Sequence, residues 1–285
     1  MSSIAQLHLE SSDWEAELLP DLGGAMAALR WRGVDVLRPM AEGATGPLDT
    51  SCIPLVPYCN RIRDGRFTWA GREVRMPRNF PPETSSLHGL GWQSQWQVAS
   101  EGGFKCSLRH VHDGSGGWPW AYDAEQRVRL GPKGCAVTLD LTNRSEAHMP
   151  AGLGLHPYLR RRPETKVQFL SAGTVMVDEA LIPTGELAPP DHFADWRGRA
   201  ALPSRLVDHS FTGWDGAATV EDDLGTITLT ARGAPCLHVY APPDGSALCL
   251  EPVSHTPDAP NRNPAGMIAL PPGCTASLTM WIAAS

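Results

Sequence analysis

Apolar and polar residues alternate in short runs along most of the chain. In 135–142, Val137, Leu139 and Leu141 fall on one side, and Thr138, Asp140 and Thr142 on the other. That period of two marks a half-buried strand. The same alternation recurs at 15–20, 26–31, 105–112, 124–130, 226–230, 236–241, 247–251 and 275–282. Turn-forming residues separate these runs: Arg63-Asp64-Gly65, Gly131-Pro132-Lys133-Gly134 and Pro242-Pro243-Asp244-Gly245. A helical period is nowhere sustained beyond a turn or two. Many short strands predict an antiparallel sandwich or barrel. The proline-rich stretches 79–82, 183–190 and 254–264 read as loops over a sheet. No linker, charge run or repeat divides the chain, so one all-β domain over residues 1–285 is expected.

Composition narrows the partners. The 24 Lys and Arg stand against 31 Asp and Glu, a net charge of −7. A nucleic acid or an anionic membrane would reward a basic face, so neither is expected. With 42% hydrophobic and 19% charged residues, the chain is of globular type. Ten Trp against six Phe and four Tyr suggest a carbohydrate binder, since an indole face packs on sugar C–H groups. Core filling explains them equally well.

The seven cysteines include no C-x-x-C pair, so neither a zinc ribbon nor a redox motif is visible. The first 20 residues lack a basic region followed by an apolar one, as a signal peptide would have, and no apolar run is long enough to span a bilayer. A reduced, cytoplasmic setting is therefore expected. The glycine clusters at 114–117 and 152–154 do not open helices, and no Walker A or G-x-S-x-G sequence occurs. His110 and His112 share one strand face but have only Asp113 as a nearby third ligand. A solvated strand end is expected there rather than a metal.

Candidate chemistry gathers in five segments: 57–67, 79–89, 152–158, 208–216 and 251–261. Glu251 follows the apolar run Ala247-Leu248-Cys249-Leu250 and precedes a proline. Its carboxylate then sits at a strand terminus, partly desolvated, with a raised pKa unless cations or N–H donors hold it down. An edge-strand Glu pointing to water fits the same pattern.

Read together, Asn60-Arg61-Ile62 with Gly65 and Phe67, His88-Gly89, His156-Pro157-Tyr158, Asp208 with Phe211, Glu251-Pro252, and Pro257-Asp258-Ala259 with Asn261 resemble the aldose 1-epimerase (galactose mutarotase) family. They stand in the family's order, and the chain looks like its shorter bacterial branch. Pro57-Tyr58-Cys59 departs from the glycine–arginine pair typical of galactose-specific members. The resemblance implies a large antiparallel β-sandwich with a sugar in an open cleft. It implies Glu251 as the general base on the anomeric hydroxyl and His156 as the general acid on the ring oxygen. His88 is implied as a second cleft histidine sharing that role. Arg61 and Asp208 would hold sugar hydroxyls, with Asn79 lining the cleft.

Mutarotation removes one proton from the anomeric hydroxyl and gives one to the ring oxygen. The open aldehyde rotates, and closure yields the other anomer. One base and one acid on either side of a hemiacetal suffice, with no cofactor and no metal. Trp92, Trp118, Trp120 and Trp214 are candidates for stacking on the sugar. Two other readings remain. A hexose-6-phosphate 1-epimerase would recruit Arg63, Arg66, Arg72, Arg75 and Arg78 for the phosphate. An inactive sugar-binding domain would need no acid–base pair. The expected partner is a monosaccharide, and the protein a monomer or homodimer.

Overall fold

The structure, a computed structural model, describes residues 5–263 and 266–285, so residues 1–4 and Pro264 of the proline-rich stretch lie outside it. Two large antiparallel sheets dominate. The larger has eleven strands and the smaller nine. Each of the nine alternating runs falls on a strand. Val137, Leu139 and Leu141 are buried in Gly134–Asn143 of the smaller sheet, where their polar neighbours stay half-exposed. The inner faces of both sheets contribute to one cluster of buried apolar side chains, for example Leu155, Leu237, Val239 and Leu250 from the larger and Leu139, Leu229 and Leu278 from the smaller. Helix is confined to Ala259–Arg262 and a few single 3-10 turns among the described residues. No helix among the described residues is long and apolar enough to cross a membrane.

Two expectations change. The stretch 183–190 is not all loop, because Pro183–Ala188 forms the last strand of the larger sheet. Proline is tolerated at the first residue of an edge strand. His110 and His112 are not at a solvated strand end. Both point inward, 8% and 9% exposed, and contact Tyr122 Oη at 3.2 Å and the Trp118 carbonyl oxygen at 2.8 Å. Their strand alternates in the opposite phase from that a polar histidine suggests, and core hydrogen bonds satisfy them.

The larger sheet carries the candidate site. Gly154–Pro157, Cys249–Val253, Cys236–Ala241 and Val207–Thr212 are four successive neighbours within it. Successive side chains on a strand point to opposite faces. The face carrying Leu155, Leu250, Leu237 and Phe211 enters the core. The opposite face carries His156, Glu251, His238, and Asp208 with Ser210.

Candidate active site

Four strands thus line up the polar side chains of one cleft. His238 pairs with Glu251 in register on one side and with Ser210 on the other. Continuing the Gly154–Val253 pair by two residues sets His156 opposite Glu251. Glu251 is therefore mid-strand in Cys249–Val253 rather than at a strand terminus, and only 2% exposed. Its Oε1 lies 3.3 Å from His156 Nε2. The His156 ring stacks on Tyr158 at 4.7 Å, and the Arg38 guanidinium lies 3.9 Å above that tyrosine ring.

Loops supply the other wall. The short pair Arg61–Ile62 with Ser86–Leu87 sets Arg61 opposite Leu87, and so places Asn60 beside His88. The Asn60 amide donates to His88 Nδ1 at 3.1 Å, and the His88 amide donates to the Asn60 carbonyl at 2.8 Å. With Nδ1 accepting, the proton of neutral His88 belongs on Nε2. Gly89 follows at φ +74°, where an added Cβ would meet the Val56 carbonyl oxygen at 2.2 Å. Gly89→Ala must move this loop, so chemical denaturation should show a loss of about 2 kcal/mol or more. A variant as stable as the wild type would refute this role for the glycine.

Arg61 is held from three sides. Its Nε donates to Glu83 Oε2 at 2.9 Å, and its Nη1 lies 3.6 Å from Asp208 Oδ2. The Asp258 amide donates to the Arg61 carbonyl at 2.7 Å. The Asp258 carboxylate accepts from the Arg63 amide at 3.0 Å and from Asn261 Nδ2 at 2.7 Å. The 257–261 motif is thus a clamp on the Arg61 loop.

Five of the six expected residues line one cleft of about 360 Å3: Arg61, His88, His156, Asp208 and Glu251. Asn79 does not line it. Its side chain accepts from the Leu87 amide at 2.8 Å and donates to the Leu87 and Gly89 carbonyls at 2.8 and 3.2 Å. That uses both ends of the amide to brace the His88 loop. None of the four tryptophans reaches the cleft. Trp118, Trp120 and Trp214 belong to the main core, and Trp92 backs His88 edge-on at 5.9 Å. Aromatic surface in the cleft comes from Phe80, Tyr158 and Tyr240. The five arginines suggested for a phosphate are absent from the lining residues described. Arg63 pairs with Asp178, Arg75 with Glu73 and Arg78 with Asp64.

His238 is the main residue that sequence reasoning passed over. Its Nε2 lies 2.8 Å from Asp208 Oδ1, and its Nδ1 lies 2.9 Å from Ser210 Oγ. The signal was present, since Cys236, His238 and Tyr240 alternate with the apolar Leu237, Val239 and Ala241. Arg38 and Glu83 were equally silent, because each acts through contacts distant in sequence.

Burial sets the protonation states. It pushes the Glu251 carboxyl up to about 8, with the His238 and Arg61 charges holding it back. It pushes the His156 imidazole down to about 3. The close N···O contact alone would suggest an ion pair. Burial of both groups instead keeps the proton on the carboxyl, because neither is solvated enough to hold a charge. The pair then carries one proton at neutral pH. His88 is driven well below its ordinary value by burial and by the neighbouring His156 and Arg61 charges. Burial also lowers His238, but the Glu251 charge and the Asp208 hydrogen bond outweigh it, and its pKa is raised. Asp208 is pushed up by burial, yet the His238 hydrogen bond and the His238 and Arg61 charges bring it below the usual carboxylate value.

Two buried polar atoms of cleft residues lack partners, His156 Nδ1 and Glu251 Oε2. Each such atom costs about 1–3 kcal/mol. An arrangement of one carboxyl and one imidazole sharing a proton can take a proton from one oxygen and give one to another.

The sequence profile of the aldose 1-epimerase family matches residues 9–283. The uncharacterized protein YphB of Escherichia coli is 34% identical over 267 residues, covering 89% of this chain and 90% of that protein. The galactose mutarotase of Mus musculus is 29% identical over 171 residues, covering 55% of this chain and 48% of the enzyme. A crystal structure of a candidate aldose 1-epimerase from Escherichia coli K12 superposes with a TM-score of 0.91 at 30% identity, covering 99% of both chains. By sequence and by fold, the chain belongs to the aldose 1-epimerase family.

Proposed function

We propose that the protein is a cofactor-independent mutarotase interconverting the α and β anomers of a free aldose. The observation that carries this reading is the His156–Glu251 pair, buried in a sugar-sized cleft with an unpartnered atom on each member. A domain that only bound sugar would have no use for a base and an acid held at that cost.

The proton inventory supports one mechanism. Opening the ring starts as the pair's proton shifts from Glu251 to His156, whose Nε2 lies 3.3 Å from Oε1, which leaves ionised Glu251 and protonated His156. Glu251 takes the anomeric O–H proton, and His156 gives its proton to the ring oxygen as the C1–O5 bond breaks. The open aldehyde leaves protonated Glu251 and neutral His156. After rotation about C1–C2, closure returns both protons by the same path. Every state of the pair carries one proton, and the two groups balance each other at the anomeric carbon. His88 is neutral with its Nδ1 committed, so it donates a hydrogen bond to a substrate oxygen without releasing its proton. Arg61 and Asp208 hold ring hydroxyls, the first as donor and the second as acceptor. Asn79 acts one step back, by bracing His88.

The cations nearest the cleft are already engaged. Arg61 is bound to Glu83, and Arg38 donates to the Leu48 and Thr50 carbonyls at 2.9 and 3.0 Å. That supports an uncharged sugar over a sugar phosphate. A competition assay should show free hexose turned over in preference to its 6-phosphate. A strong preference for the phosphate would reverse the assignment. The seven unpaired cysteines, six of them buried, support a reducing, cytoplasmic setting.

A further inference from the structure

We infer that the floor of this cleft is also a capture site for a soft divalent cation, zinc by the chemistry of its donors, with Cys249, Glu251 and His156 as ligands. Only the inhibitory consequence rests on the proposed mutarotase function. The binding itself stands on geometry.

Cys249 precedes Glu251 by two residues on the strand Cys249–Val253, so both side chains leave the same face. His156 stands on the neighbouring strand. One donor atom from each of the three residues lies within 4.8 Å of the other two. The His156 Nε2 to Glu251 Oε1 separation is 3.3 Å. A tetrahedral zinc with Zn–N and Zn–O bonds of about 2.0–2.2 Å has an N···O edge of about 3.4 Å, so that edge is already set. A Zn–S bond of about 2.3 Å calls for edges of about 3.5 Å, so the sulfur need close by no more than about 1.3 Å.

The donor set selects the ion. Thiolate with imidazole and one carboxylate suits zinc, whereas magnesium and calcium require oxygen ligands. All three residues are buried, with His156, Cys249 and Glu251 at 6%, 0% and 2% exposure. The unpartnered Glu251 Oε2 and His156 Nδ1 show that both of these ligands have hydrogen-bonding capacity left unused. Three protein ligands leave a fourth position, and His156 and Glu251 both line the cleft into which it would open. The charges facing the site are largely spoken for. His238 is bound to Asp208 and Arg61 to Glu83, which limits their repulsion of an incoming cation.

Binding requires no redox step. The Cys249 thiol gives its proton to solvent and coordinates as thiolate, and Glu251 gives up whatever proton it holds. A bound cation then occupies the two groups that exchange protons with the sugar. Catalysis stops until the metal leaves, and sugar competes with it for the cleft.

The full chain is titrated with zinc against a chromophoric chelator, and separately with cobalt(II). One equivalent of zinc should bind, and the cobalt form should show a thiolate-to-metal charge-transfer absorption. Cys249→Ser and Cys249→Ala should each weaken zinc by at least about tenfold and abolish that absorption. Cys274→Ser, at an exposed thiol, should change neither. Zinc should suppress mutarotation in the wild type, with relief by chelator. No zinc binding, or equal binding and absorption by the Cys249 variants, overturns the inference. Metal binding without any mutarotase activity would leave this site standing and remove the proposed function instead.

Discussion

Glu251→Gln should lower kcat by roughly 10²–10⁴-fold while leaving a folded protein, because the amide cannot accept the anomeric proton. The same substitution should stabilise the fold in alkaline solution, and the sign follows from the pKa. Burial raises the folded-state value to about 8 from an ordinary 4.5. Above pH 4.5 the unfolded chain releases a proton that the folded chain retains, so wild-type stability falls as pH rises. The penalty grows up to about pH 8 and is complete beyond it, at a few kcal/mol in order of magnitude. Glutamine carries no such penalty. Thermal unfolding of the variant should match the wild type in acid and exceed it at about pH 9. A variant that stays active would refute the base assignment. One no more stable in alkali would refute the buried, proton-retaining carboxyl.

His238→Gln is the second large effect, and it comes from a residue outside the resemblance. The His238 charge is the largest influence holding the Glu251 pKa down against burial. Without it, Glu251 keeps its proton to higher pH, and the alkaline limb of the rate profile moves upward. Asp208 loses the hydrogen bond that keeps it ionised and oriented, so KM should rise as well. The combined loss in kcat/KM should be roughly 10²-fold. A merely structural role would lower both stability and rate without moving the limb. An unmoved pH profile would therefore show that His238 only packs.

The fold was legible wherever one strand face meets water. Gly134–Asn143 and Lys105–His112 could be read because alternation is the direct record of a half-buried strand. It fades where both faces are covered. Gly154–Pro157 is buried at all four positions, and a proline ends it, so no alternation marks the strand holding His156. Glu251 was misplaced at a strand end for the same reason, since Cys249–Val253 is buried throughout and contains Pro252. Strands that line the cleft lose their alternation because the cleft covers the face that solvent would otherwise mark. Five of the six site residues that the resemblance implies line the cleft, but the motifs do not separate side chains that line it from those that brace it. Asn79, Asp258 and Asn261 spend their polar groups on backbone 61–66 and 87–89, which only coordinates reveal. The tryptophans misled because an aromatic's composition signal is the same in a core as in a cleft.

At the centre of the account stands one imidazole and one carboxyl, holding a single proton between them, opening a sugar hemiacetal. Polarimetry on freshly dissolved α-glucose, α-galactose, xylose and arabinose, from about pH 5 to about pH 10, tests this most directly. At least one sugar should equilibrate faster than in buffer, at a rate level through neutrality that falls above about pH 8 as the Glu251 proton is lost. No acceleration of any of the four, or a rate that keeps climbing through pH 9 and beyond, would contradict it.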